Sequence, residues 1–418
     1  MASKRFERLT SRGASGRIMR VAVDFQNERL DIDVPDDRLI ADWHGPSGVA
    51  PADVPGLVLK ALEAPLDYPP LRQAIVPGDR VAIAHDGDVS CARGLLATLF
   101  SLLEAAGVDR GAVTVVVPPG DHAELSRLVP EGAALVVHDP DDREQLRYLA
   151  NTSEGRRIYL NRHLSDADLV IPAGRIGYDP ILGYRGPWSA IYPGLGDRDT
   201  AGSLRERLTG EAPDRERPRP ALIESSEVSW LLGCQFHLGL VAGVNGPAAV
   251  VAGLESAVRD RGALVLDAAW SFQAESAADL VVVGIGRPGM AAGFDDLAEG
   301  LATAVRLVRR GGKIAALSRV TGEIGPALGS LIGIDDPRLA PQAVRGHEAA
   351  PDYPAALLLA NALAWADIYL LSGLASETVE DLSMIVLDRA DEARRLVAAS
   401  HSCLFASQAE LIRGSVAS

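Results

Sequence analysis

Lysine is almost missing from this 418-residue chain: it occurs at Lys4, Lys60 and Lys313, which leaves 38 of the 41 basic residues as arginine. Chemistry that needs an amine nucleophile therefore has very few candidates, whereas bidentate anion recognition has many. Cysteine is also scarce. Cys91, Cys234 and Cys403 are odd in number and widely spaced, which excludes a disulfide framework and a CxxC zinc cluster and fits a reducing, cytoplasmic setting. No metal site emerges from the histidines, since His85, His138, His163 and His237 share no HxxxH or HxxE spacing. No apolar run reaches the roughly 18 residues of a membrane span. Net positive charge is lacking too: at −15 the chain is a poor partner for nucleic acid or an anionic membrane surface. The opening segment MASKRFERLTSRGASGR is basic but no apolar stretch follows it, so residues 1–17 read as a disordered tail rather than a secretory signal.

What is present is an ordinary globular composition, 47% hydrophobic and 23% charged, in a chain long enough for more than one domain. Residues 18–25 and 28–34 alternate apolar and polar positions across a short turn, which predicts a hairpin. Buried strands are expected at 80–84, 112–117 and 134–138, with helices at 94–106 and 122–128 between them. Parallel pairing and right-handed crossovers follow from that alternation. The charged, proline-rich segment 209–220, TGEAPDRERPRP, reads as a linker or exposed loop. After it the rhythm returns, with strands at 235–244, 280–284 and 313–317, a helix at 253–259, and a helix at 295–310 stopped by Gly311-Gly312. The fold class is α/β: two α/β domains with mainly parallel sheets and a cleft between them, placed at 18–228 and 229–418.

Ligands of parallel sheets gather at the carboxyl ends of the strands. Two such ends carry polar residues, His85-Asp86-Gly87-Asp88 and Gly120-Asp121-His122. Asp86 and Asp88 can bind hydroxyls or a cation, or act as a base, or simply form a turn that caps the next helix. His122 stands where an imidazole can move protons, or where it merely opens a helix. The stretch 174–194, GRIGYDPILGYRGPWSAIYPG, has too many breakers for a long helix or strand. Its Arg175, Tyr178, Asp179, Tyr184, Arg185 and Trp188 either line a cleft for an anionic or planar ligand or pack as a surface loop. The turn Gly284-Ile285-Gly286-Arg287-Pro288-Gly289 follows a strand, but Pro288 breaks the dinucleotide register, so it reads as a glycine turn that lets backbone approach a ligand.

The order of these motifs resembles the nickel-dependent lactate racemase family. The similar segments are VAIAHDGDVSCA, VTVVVPPGDHAEL, LGYRGPWSAIYPGLG, FHLGLVAGVNGPAAVVAGLESA, RRGGKIAALS and SMIVLDRADEARRL, which run in family order over residues 18–410. The resemblance implies a two-domain α/β enzyme with its site between the domains. It also implies a nickel-pincer nucleotide bound covalently to a lysine and ligated by a histidine, with two further histidines as acid and base. Carried over by position, Asp86 matches the family's aspartate, and Val89 stands where an arginine is usual. His122 matches one acid–base histidine, and the other falls at Asp179. The cofactor-linking lysine falls at Ser189 and the nickel-ligating histidine near Arg205. Asp295, Asp296 and Glu299 fall where the family has neutral and basic types.

The expected catalytic set is therefore His122, Asp86 and Asp179, and the expected cofactor- or ligand-holding set is Arg175, Arg185, Ser189, Arg205 and Asp88. The expected function is binding of a small 2-hydroxyacid or related anion in an interdomain cleft, without the covalent nickel-pincer cofactor. Two alternatives stand beside it: an active nickel-dependent racemase or epimerase with altered ligands, and a non-catalytic partner subunit of an active paralogue. Oligomeric state, a homo-oligomer included, is left open.

Overall fold

The computed structural model describes residues 17–417 apart from Cys91, Asp121 and Gly210. The expected disordered tail, Arg17 excepted, lies outside the described residues. Nineteen strands follow one another along the described residues. They are β1 (Ile18–Phe25), β2 (Glu28–Pro35), β3 (Leu39–Trp43), β4 (Val81–His85), β5 (Val113–Val117), β6 (Ala134–Val137), β7 (Leu146–Asn151), β8 (Arg157–Asn161), β9 (Leu169–Asp179) and β10 (Gly183–Arg185). There follow β11 (Phe236–Gly243), β12 (Gly246–Leu254), β13 (Ser271–Ala274), β14 (Ala278–Gly284), β15 (Val308–Leu317), β16 (Asp367–Leu371), β17 (Ile385–Val386), β18 (Cys403–Ala406) and β19 (Arg413–Val416). Two sheets carry the fold. The first has the order β12-β11-β9-β4-β5-β6 with β10 folded back on β9, and the second has the order β17-β16-β15-β14-β18-β3. The second sheet is parallel throughout; the first is parallel except for β12 and β10.

The near-continuous apolar strands follow from burial on both faces. In β4, Val81 and Ile83 pack into one core while Ala82 and Ala84 pack into another. In β14, Val281 and Val283 face one core and Leu280 and Val282 face the hairpin β1–β2. Among the described residues no helix is long and apolar enough to cross a membrane, and Cys234 and Cys403 are buried free thiols.

The sheets do not divide at 228/229 as expected. β11 pairs with β9 and carries β12, so residues 236–254 complete the first sheet. β3 pairs with β18 across more than 350 residues of sequence, so the amino-terminal segment completes the second. Both additions cover strand edges that would otherwise present unpaired backbone groups. The stretch 174–194 is also more regular than its breakers suggest. β9 runs on to Asp179, turns back as β10, and enters the helix Pro187–Ile191. Gly311 and Gly312 lie inside β15 rather than stopping a helix; the helix Phe294–Leu307 ends just before Val308.

A polar clamp holds the β9–β10 turn to the rest of the chain. Tyr178 and Tyr184 both donate to Asp267, at 3.0 and 3.1 Å, from the end of the helix Glu255–Trp270. Arg413 on β19 donates to the Tyr184 hydroxyl at 2.7 Å and stacks over the Tyr178 ring. Burial, reinforced by the Asp267 charge, pushes both phenols above their ordinary range, so they remain donors. Tyr184→Phe removes one donor and one acceptor from this buried network. It is expected to cost about 1–2 kcal/mol, read as a lower urea midpoint; an unchanged midpoint would show that the clamp contributes nothing.

Candidate functional site

The carboxyl ends of β4, β5 and β9 converge, and the loop after β14 reaches them from the second sheet. Asp86 leaves β4 with its side chain 3% exposed. Its Oδ2 accepts the amide of Arg175 at 2.6 Å and its Oδ1 accepts that of Asp88 at 3.0 Å. Gly174 is required beside it, since a Cβ there would lie 2.7 Å from the Asp86 carboxylate. Asp88 accepts both the amide and the hydroxyl of Ser90. Its Oδ2 lies 3.1 Å from Arg175 Nε and accepts from Arg287 Nη1 at 2.8 Å. The Arg175 approach is close but poorly aligned, and Nε makes no hydrogen bond. Burial opposes the Asp88 charge, yet Arg287 and Arg175 outweigh it and hold this carboxyl well below the ordinary range.

His85 and His122 flank the turn between the two aspartates. The Gly87 amide donates to His85 Nδ1 at 3.0 Å, so that nitrogen is unprotonated. Burial pushes the His85 ring down and keeps it neutral, against the pull of Asp86 and Asp88. His122 Nε2 stands 2.7 Å from the Pro118 carbonyl. A carbonyl only accepts, so Nε2 carries a proton, and Nδ1 is the acceptor whenever the ring is neutral. Gly87, at φ +84°, leaves room for that ring: a Cβ there would sit 2.9 Å from His122 Cε1.

Arg185, on β10, completes the group. Its Nε is buried without a hydrogen-bond partner, and its Nη2 stands 3.6 Å from Asp86 Oδ2. The free space among His85, Asp86, Asp88, Gly174 and Arg175 is only about 10 Å³, the room of a single water. A separate cavity of about 60 Å³ is lined by Tyr178, Asp179, Glu299 and Glu410 among others. Glu299 lies on the helix Phe294–Leu307, and burial pushes its carboxyl up to about 8 against the pull of Arg175 and Arg185.

The sequence-predicted residues divide. Asp86, Asp88, His122, Arg175 and Arg185 come together. Asp179 borders the same region, but its Oδ1 is committed to the amides of Ile181 and Leu182 at 2.7 and 2.6 Å. Ser189 and Arg205 make no hydrogen bond or ion pair with this group. The Ser189 hydroxyl donates to the Gly186 carbonyl at 2.6 Å, closing the first turn of its short helix. Arg205 reaches instead to the Ala349 carbonyl at 3.3 Å. Arg287 was not among the expected site residues. The glycine turn that carries it was singled out, but its partner Asp88 is 199 residues away, so no local spacing signals the pair. Glu410 was also missed.

These residues do not fit a lysine-linked nickel-pincer nucleotide. Serine has no amine to make the linkage. Lys60 is exposed on the helix Val54–Glu63, and Lys313 lies level with the first residue of β16, away from the strands' carboxyl ends. Among the described residues no group of three or more His, Cys, Asp or Glu is placed to hold a metal ion.

Residues 25–206 match the family model of the lactate racemase N-terminal domain. No curated protein sequence matches the chain. Among solved structures, the lactate racemase apoprotein from Thermoanaerobacterium thermosaccharolyticum superposes with a TM-score of 0.76 at 17% identity, covering 95% of this chain and 100% of that one. A protein from Thermotoga maritima superposes with a TM-score of 0.61 at 13% identity, covering 90% of this chain and all of the other. Both likenesses are of fold.

Proposed function

We propose, for a chain that belongs to the lactate racemase family through its residues 25–206, that it binds a small 2-hydroxyacid or related anion in a cleft between its two sheets and does so without the covalent nickel-pincer cofactor. One observation carries this reading: Arg185 presents a buried, unpartnered guanidinium nitrogen beside Asp86. An arginine whose donors are desolvated and unmatched favours a carboxylate that can accept from it. Arg175 is less available, being drawn to Asp88. With the carboxylate on Arg185, Asp86 accepts from the ligand hydroxyl and His122 stands as an acid–base group beside the hydroxyl-bearing carbon. Asp179, with its Oδ1 engaged by backbone, is a weaker second acid–base group. Chemistry run from one histidine is one-sided, in contrast to symmetric racemisation.

The test is calorimetric titration of lactate, each enantiomer separately, into protein made without the enzymes that build the nickel cofactor. Binding is expected near 1 mM, about −4 kcal/mol, and unchanged in protein made with those enzymes. A stoichiometric nickel adduct in intact-mass measurement, or no binding of either enantiomer, would overturn the proposal.

A further inference from the structure

The cavity beside the arginine group has a charge pattern that a simple hydroxyacid does not use. Its charged lining is Asp179, Glu211, Arg219, Glu299, Arg306 and Glu410. The two arginines are spent on neutral acceptors. Arg219 donates to the carbonyls of Asp179, Pro180 and Glu211, and Arg306 donates to the Gly414 carbonyl and the Thr303 hydroxyl. Neither hydrogen-bonds a carboxyl of the lining. Glu410 is 6% exposed. Its Oε1 accepts the Gly286 amide at 3.2 Å, and its Oε2 is buried with no partner. Glu299 has no hydrogen-bond partner among the described residues, and Asp179 has Oδ2 to spare. Two carboxyls with acceptor oxygens unmatched by any donor thus face a space the size of a few waters.

We infer that this cavity seats the ammonium group of an amine-bearing 2-hydroxyacid, with Glu410 Oε2 as its buried acceptor and Glu299 and Asp179 as the carboxyls lining the space around it. The inference rests on the proposed hydroxyacid site, because Arg185 then holds the carboxylate at the other end of the same ligand. An ammonium has three donors and no acceptor, which matches a lining of unpartnered acceptor oxygens. A metal ion fits less well, since the described residues include no cluster that could ligate one. A second anion would meet like charge.

Burial pushes Glu410 up to about 7, with Asp296 adding to the effect, and Glu299 up to about 8. Both are largely protonated in acid and ionise as pH rises. Besides the lining, Asp296, Arg175, Arg185 and Arg287 act on them. A cation favours the ionised carboxyls, so its affinity rises with pH and its binding expels protons.

The experiment compares 3-amino-2-hydroxypropanoate with lactate, and includes methylammonium chloride alone, by titration calorimetry at pH 6 and pH 8. The amino compound is expected to bind at least tenfold tighter than lactate at pH 8, and its affinity to rise roughly tenfold from pH 6 to pH 8 while that of lactate does not rise. In Glu410→Gln, where Oε1 can still accept the Gly286 amide, the ratio of the two affinities is expected to fall toward one. Glu299→Gln is expected to do the same and covers the case in which the first variant does not fold. Equal affinity for the two acids at both pH values, or a preference kept in both variants, overturns the inference while leaving the hydroxyacid site in place. Methylammonium binding without lactate binding overturns the hydroxyacid site and leaves the ammonium seat. Binding of none of the three overturns both.

Discussion

Asp88→Ala is expected to destabilise the protein by about 3–5 kcal/mol, the usual cost of removing one partner from a buried ionic group. The Asp88 side chain is 10% exposed, and those of Arg175 and Arg287 are 13% exposed. Removing the carboxylate leaves two guanidinium groups facing each other with little solvent to screen them. It also removes the carboxylate that accepts from the Ser90 amide and hydroxyl. The effect is larger than that of an ordinary ion pair because Arg287 belongs to the loop after β14 and Asp88 to the end of β4, so this contact joins the two sheets. Urea unfolding at neutral pH measures it, and a loss under 1 kcal/mol would mean the two arginines find other partners. A pH series adds a signature. Asp88 titrates lower in the folded chain than its unfolded value near 4. Its contribution is therefore fully present above about pH 4 and drains away as pH falls below that. The gap between the parent and Asp88→Ala should narrow on acidification from pH 5 to pH 3, and Asp88→Asn should track the alanine variant in this respect.

How far the site was legible in the sequence depended on whether its signal was local. Asp86, Asp88 and His122 stand at strand ends, and strand ends are visible as the last apolar residue before a polar turn. Arg175 and Arg185 were visible as charges in a glycine-rich stretch. What misled there was the breaker content: Gly174 and Gly177 argue against a strand, yet β9 runs through them. β11 fixes residues 173–176 by parallel pairing, Gly174 makes room for the Asp86 carboxylate, and a Cβ at Gly177 would lie 2.9 Å from Arg175 Nη1. At Gly174 the glycine answers close approach of a hydrogen-bonded carboxylate rather than a turn. The helix expected at 253–259 runs instead from Glu255 to Trp270. Gly262 lies inside it because a Cβ there would meet Ile176 at 2.5 Å. Sheet membership was not legible where pairing is remote: nothing near residue 39 announces that β3 will lie beside β18. Ser189 and Arg205 entered through family position alone, and neither makes a polar contact with the cluster that geometry assembles.

Arg185→Ala is expected to weaken lactate binding by roughly 10- to 150-fold while leaving the urea midpoint almost unchanged. The binding loss is that of charge-assisted hydrogen bonds to a carboxylate, about 1.5–3 kcal/mol. The small stability effect follows from what Arg185 does in the folded chain. Its Nε bonds to nothing, and its ion pair with Asp86 is stretched to 3.6 Å. Asp86 keeps two backbone amides as partners when Arg185 is gone. Arg175→Ala is the informative contrast. That change strips Asp88 of one of its two cations, so it should cost stability first and affinity second. Arg185→Lys should recover only part of the binding, because an ammonium replaces a planar fork with a single point of charge. Titration calorimetry on the three variants separates the cases. If Arg185→Ala binds lactate as the parent does, the unpartnered guanidinium belongs to packing rather than to a ligand, and the carboxylate must be sought elsewhere in the fold.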